Sequence, residues 1–115
     1  EYGLWATEVK ETKEFIGFVG LKDQDLGTSF SPFVEIGWRL KRSAWGQGFA
    51  TEGAKKVLEY GTSLFPQIYS ITSKINLPSI KVMERIGLIR DPLLDFEHPR
   101  VESPALKPHI VYRTP

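Results

Sequence analysis

Apolar positions along the chain change period several times, and each change marks a predicted element. Leu4 to Val9 and Phe15 to Leu21 are β-rich runs separated by the charged stretch Lys10-Glu11-Thr12-Lys13-Glu14, the pattern of a β-hairpin. Gly17 and Gly20 inside the second run predict a bulge or a close backbone contact. Asp23 to Pro32 is rich in Asp, Gly, Ser and Pro and is a predicted loop. Phe33 to Leu40 then alternates cleanly. Val34, Ile36, Trp38 and Leu40 share one face of this strand, and Glu35, Gly37 and Arg39 share the other.

Beyond Gly48 the period lengthens. Ala50, Gly53, Ala54, Val57, Leu58, Gly61, Leu64 and Phe65 recur at helical spacing, so 48–65 is a predicted amphipathic helix that Pro66 stops. Lys55, Lys56 and Glu59 fall on its wet side, where Lys55 and Lys56 are either solvated or within reach of an outer phosphate. The small residues at 50, 53 and 54 let the start of the helix pack closely on a sheet. Ile68 to Lys74 is a further strand. Asn76-Leu77-Pro78-Ser79 opens a second helix, since Asn caps well and Pro is tolerated in a first turn. Ile80, Met83 and Ile86 give it an apolar stripe, and Gly87 ends it. Asp91 to Pro108, with four prolines, is a predicted long loop of the kind that covers a site. His109 to Arg113 returns as a strand.

Composition narrows the function classes. The 115 residues suit one domain, 1–115, with enough apolar content for a core. Fifteen basic against fourteen acidic side chains leave +1, so no broad field favours nucleic acid or membrane. The chain has no cysteine, hence no disulfide, no thiolate metal site and no cysteine nucleophile. His98 and His109 are too few and too separated for a zinc site, so no metal is expected. No apolar run approaches the ~20 residues of a membrane span, and no signal peptide opens the chain. The expectation is a soluble, cytoplasmic domain.

The stretch with the most chemistry is Trp45-Gly46-Gln47-Gly48-Phe49-Ala50-Thr51-Glu52. Its two glycines follow a strand and run into a helix, where N–H groups lack internal partners and partial positive charge collects. Such a turn suits phosphate, although a tight connection that binds nothing uses the same glycines. It lacks the Gly-Lys-Ser/Thr ending of a P-loop, and Ala50 arrives too early to complete a dinucleotide fingerprint.

This loop resembles the pyrophosphate-binding loop of GCN5-related N-acetyltransferases, and more narrowly that of the RimJ/RimL type. The family pattern Gln/Arg-x-x-Gly-x-Gly/Ala falls on Trp45, Gly46, Gln47, Gly48, Phe49 and Ala50, with Trp45 replacing the usual Gln or Arg. Glu35-Ile36-Gly37-Trp38-Arg39-Leu40 before the loop also fits. So do Asn76-x-x-Ser79 and Met83-Glu84-Arg85-Ile86-Gly87 after it, and the final His109-Ile110-Val111-Tyr112-Arg113. The resemblance implies an α/β domain of the acyl-CoA N-acyltransferase fold, with a mainly antiparallel, splayed central sheet flanked by helices. It implies acetyl-CoA as donor and a primary amine as acceptor: a protein N-terminus, a polyamine or an aminoglycoside-like amine. The family carries a first strand and two helices ahead of Glu1-Tyr2-Gly3-Leu4-Trp5. With no initiator Met, this chain is expected to be a fragment or a shortened member.

Site residues follow from the same resemblance. Backbone N–H groups of Gln47, Gly48, Phe49 and Ala50, with Trp45, Gly46 and Thr51 beside them, would hold the pyrophosphate. Backbone groups of Trp38 and Leu40 would pair with pantetheine like an added strand, while the Trp38 side chain belongs to the core. Most chains of the superfamily protonate the departing thiolate from a Tyr seven residues beyond the Asn. Here that position is Met83, and Ser79, one turn back, is the candidate acid. Ser79 would otherwise bond backbone as an ordinary first-turn serine. Asn76 bonds the cofactor, caps the helix, or both. Glu35 is the candidate base, or else a surface carboxylate paired with Arg39. His98 and Tyr112 stand in reserve. A rival reading is a non-catalytic acyl-CoA-binding or assembly module, whose exposed sheet face a homodimer or a missing N-terminal segment would cover; a β-rich domain with no CoA site ranks third.

Overall fold

The computed structural model describes residues 4–8, 15–41, 43, 45–46 and 48–115. Among the described residues, seven strands form one mixed sheet in the order β1-β2-β3-β4-β7-β5, with β6 paired to β7 off that path. The strands are β1 (Leu4–Glu8), β2 (Phe15–Gln24), β3 (Phe33–Leu40), β4 (Tyr69–Ser73), β5 (Ile89–Arg90), β6 (Phe96–Glu97) and β7 (Pro108–Arg113). Two helices, α1 (Phe49–Thr62) and α2 (Leu77–Arg85), complete the order. All pairings are antiparallel except β3 with β4.

The predicted hairpin is present, with Leu4 opposite Gly20 and a register shift between Thr7 and Glu8. Its connecting charged stretch lies outside the described residues. β2 runs three residues beyond the expected end at Leu21, because Lys22, Asp23 and Gln24 continue the ladder against Glu35, Val34 and Phe33. Polar composition suggested a loop from Asp23 onward; eight consecutive backbone pairings with β3 outweigh it. Gly17 has φ +147, and a Cβ there would collide with the Arg39 carbonyl, which is the close backbone contact the sequence suggested.

The core lies between one sheet face and the two helices. Val19 and Leu21 of β2, Ile36 of β3, and Ile110 and Tyr112 of β7 meet Ala54 of α1 and Val82, Met83 and Ile86 of α2. Removing a side chain such as Leu21 or Ile36 fully from water contributes about 1.5–3 kcal/mol. α1 lies so close to β2 that a Cβ on Gly61 would come within 2.7 Å of Ile68 and 2.9 Å of Leu21. The helix ends at Thr62, three residues short of the expected Phe65. Thr62 and Ser63 turn their hydroxyls back onto the Glu59 and Tyr60 carbonyls (3.1 and 2.6 Å), a local bonding that competes with further helix.

The long segment 91–108 is more structured than expected. It holds a 3-10 turn, Pro92–Leu94, and the β6 pairing of Phe96 with His109. A bidentate Arg90–Asp95 ion pair at 2.7 Å and an Arg113–Asp91 pair at 2.7 Å clamp its start. Farther along, the Arg100 guanidinium donates to the Asp25 carbonyl at 3.5 Å, so the segment crosses to the loop between β2 and β3.

Candidate active site

β3 and β4 run parallel yet share a single register pair, Glu35 with Tyr69, and beyond it they part. Ser70, 1 % exposed, closes the apex by donating its hydroxyl to the Ile36 carbonyl at 3.0 Å. Residues two apart on a strand turn their backbone groups to the same edge. Trp38 and Leu40 therefore present theirs to the opening, as expected for the splayed strand. The Trp45 indole N–H already donates to the Leu40 carbonyl at 2.9 Å, tying the loop to the end of β3.

The opening is a cleft of about 720 Å³, within the roughly 300–1,000 Å³ usual for small-molecule sites. Its lining comes from both sheet faces: Glu35, Gly37 and Arg39 on one, Trp38 with α1 and α2 residues on the other. The cleft thus passes through the sheet. It gathers Trp45, Gly46, Gly48, Phe49, Ala50, Thr51, Asn76 and Ser79 along with Trp38 and Leu40. Gln47 lies outside the described residues.

Gly48 is the N-cap of α1 in the left-handed conformation, φ 80 and ψ 1, and a Cβ there would meet nothing within 4 Å. It supplies no side-chain cap. The first helical bond runs from the Glu52 N–H to the Gly48 carbonyl at 2.9 Å. The amides of Phe49, Ala50 and Thr51 precede that bond and point out of the helix end, toward the cleft wall that these residues form. That is an arrangement into which a diphosphate fits.

Asn76 caps α2 by accepting the Ser79 N–H on its Oδ1 at 3.3 Å, so the capping alternative holds for its side chain. The Ser79 hydroxyl has no hydrogen-bond partner among the described residues, and the side chain lines the cleft. Met83, one turn on, is 1 % exposed and belongs to the core.

Glu35 departs from one sequence expectation. Its partner is Gln24, whose Nε2 donates to Oε1 at 3.0 Å, and not Arg39. Glu35 is also buried, 9 % exposed, on a face that alternation alone assigns to solvent; Phe33 shares that face of β3, and Tyr69 is its register partner on β4. Burial pushes its carboxyl above the usual range, while the Gln24 bond and the Lys22 charge pull the other way. Gln24 and Ser70 were not legible as site residues. Gln24 falls in a composition typical of loops, and Ser70 is an ordinary strand serine until β4 is seen beside β3.

The reserve residues are otherwise engaged. Tyr112 is buried and donates its hydroxyl to Glu84 at 2.8 Å. His98 faces His109 with ring centres 4.9 Å apart. No group of three or more metal-ligating side chains occurs among the described residues.

Residues 1–89 match the family profile described as "Acetyltransferase (GNAT) domain". The chain is 41% identical over 96 residues to the uncharacterized N-acetyltransferase p20 of Bacillus licheniformis, covering 77% of this chain and 50% of that one. It is 36% identical over 87 residues to the uncharacterized protein YkkB of Bacillus subtilis (strain 168), covering 74% and 49%. It superposes on the acetyltransferase of Agrobacterium tumefaciens str. C58 with a TM-score of 0.74 and 30% identity, over 99% of this chain and 61% of that one. The chain spans about half the length of the curated relatives it matches.

Proposed function

The chain belongs to the GNAT acetyltransferase family, and we propose that it forms the donor-binding and catalytic part of an N-acetyltransferase acting on a primary amine. The family uses acetyl-CoA, and the amides of Phe49, Ala50 and Thr51, which precede the first helical bond at the cleft, fit its diphosphate. One observation carries the reading: a buried carboxylate, Glu35, and a hydroxyl without protein partner among the described residues, Ser79, line the same cleft as those amides.

Roles follow from position. Bound acetyl-CoA supplies an activated thioester acetyl group. Trp38 offers backbone groups along the open edge of β3 for the pantetheine amides, and Leu40 offers its N–H, since Trp45 holds its carbonyl. Glu35, at the apex, takes a proton from the amine as it attacks the acetyl carbon. Ser79 gives its hydroxyl proton to the departing sulfur. Ser79 at this position, together with Trp45 in the loop, favours the RimJ/RimL-like branch.

Calorimetric titration with acetyl-CoA, followed by transfer assays on an amine panel, tests the proposal. Micromolar binding that Gly48→Val abolishes without unfolding the chain supports the loop assignment. Turnover that falls by about 10²–10⁴-fold in Glu35→Gln supports the base. Binding without turnover on any amine would favour a non-catalytic acyl-CoA module. Unchanged binding by Gly48→Val would overturn the loop assignment.

A further inference from the structure

Glu35, Gly37 and Arg39 follow one another along one face of β3 and all line the cleft. That face is turned away from α1 and α2, which pack on the side of Ile36. Glycine weakens the interior of a strand and often marks a place where a ligand comes close. Neither backbone nor packing demands it at 37. Gly37 is not among the glycines with positive φ. An added Cβ would meet one atom within 4 Å among the described residues, Oε2 of Glu35 at 3.9 Å. The missing side chain therefore leaves open the approach to that carboxylate.

Arg39 is next along the face. It is exposed and has no ion-pair or hydrogen-bond partner among the described residues. Lys22 is the register partner of Glu35 on β2 and makes no ion pair with it. Two cations thus flank a single carboxylate here. A polyamine or an aminoglycoside-like amine brings further positive charge into that field, whereas an acceptor with a carboxylate of its own is drawn in. Spacing sets where that carboxylate belongs. Four residues of strand separate the Cα atoms of Glu35 and Arg39 by about 13 Å. An extended peptide covers the same span in about four residues.

We propose that the face over Gly37 is a groove for a peptide N-terminus, with Arg39 binding an acidic side chain at the third or fourth residue of the acceptor. Arg39 is then a specificity-determining residue, and its contact is with the acceptor and not with the reacting atoms. This rests on the acetyl-transfer reading above.

The test measures kcat/KM of the full chain, with saturating acetyl-CoA, on pentapeptide amides that carry Glu, Gln or Lys at both the third and fourth residues, and on spermidine. The parent is expected to favour the Glu peptide over the Gln peptide roughly fivefold or more, with the Lys peptide and spermidine below both and the spread narrowing as salt rises. Arg39→Glu should invert the order so that the Lys peptide leads, which a merely structural arginine would not do. Arg39→Gln should bring the Glu and Gln peptides level while its calorimetric affinity for acetyl-CoA stays at the parent's value. Gly37→Val, a better strand former, should melt at or above the parent and lose about tenfold or more on every peptide. Should that variant fail to fold, the Arg39 variants still decide the matter.

Equal rates on the peptides, a parent that prefers the Lys peptide or spermidine, or a Glu preference that Arg39→Glu leaves in place would overturn the groove and leave the acetyl-transfer reading standing. Weakened acetyl-CoA binding by Arg39→Gln would also overturn it, because Arg39 would then serve the donor. Full activity of folded Gly37→Val would remove the approach assigned to Gly37. A parent that binds acetyl-CoA and turns over no amine would overturn this inference together with the catalytic reading.

Discussion

Glu35 shows how one side chain acquires its chemistry from its neighbours. Gln24 fixes its carboxylate by a 3.0 Å bond, Lys22 sits opposite across β2 and β3, and burial dominates both. Its proton affinity is therefore raised in the folded state. The sign of the linkage follows: folded protein binds this proton more tightly than unfolded chain. The contribution to stability is present below the ordinary value of 4.5 and is lost as pH rises through the raised folded value. Glu35→Gln, which carries no charge to desolvate, should be at least as stable as the parent at neutral pH. It should lose that advantage in acid, as read by urea midpoints at two pH values. A variant that is markedly less stable at neutral pH would mean that the ionised carboxylate holds the fold together. For the base itself, activity should rise with pH along a limb displaced upward from that of an exposed carboxylate.

Between elements, α1 is held against β2 by absent side chains. Gly61 is the tightest point, since Leu21 and Ile68 are both 0 % exposed and have no room to retreat. Ala in place of Gly inside a helix gains about 1 kcal/mol in propensity. Overpacking a closed core costs about 1–3 kcal/mol, so the loss should win. Gly61→Ala is expected to lower the melting temperature, and a rise would show that α1 can lift from the sheet. Gly48 is the opposite case. Space around it is open, and only its left-handed backbone restricts substitution, at about 1–2 kcal/mol for a residue with a Cβ. The same residue type is thus held by packing at one end of α1 and by conformation at the other.

Across the whole molecule, segment 91–108 ties β7 to the loop between β2 and β3. At its centre His98 accepts the Arg100 N–H on Nδ1 at 3.1 Å and faces His109. Burial lowers the proton affinity of His98, and nearby His109, Arg100, Lys107 and Lys22 lower it further; burial lowers that of His109 too. Their contribution to stability is therefore present above the ordinary value of 6.5 and is lost as pH falls through the depressed folded values. Protonating His98 also removes the acceptor that holds Arg100. Hydrogen exchange of the 96–101 amides should accelerate in mild acid, before the sheet amides respond. His98→Gln should blunt that pH dependence; an unchanged profile would place the transition elsewhere.

Local sequence was enough to set the main elements and the glycine turn ahead of α1, because each depends on residues a few positions apart. The strand from Phe33 to Leu40 and the cap-and-proline signature at Asn76–Pro78 were both found in place. The family resemblance of Trp45–Ala50 is likewise carried by contiguous residues. Where expectation and structure part, a distant strand or loop decided the outcome. Asp23 and Gln24 look like a loop until β3 pairs with them, and Glu35 looks wet until Gln24 bonds it from β2 and β4 pairs with its strand. Ser70 becomes the apex of a cleft only because β4 lies next to β3 and then leaves it. Periodicity records which way a side chain points. Only the packed sheet decides what it meets there, and proton affinity, cleft and charge balance all depend on that meeting.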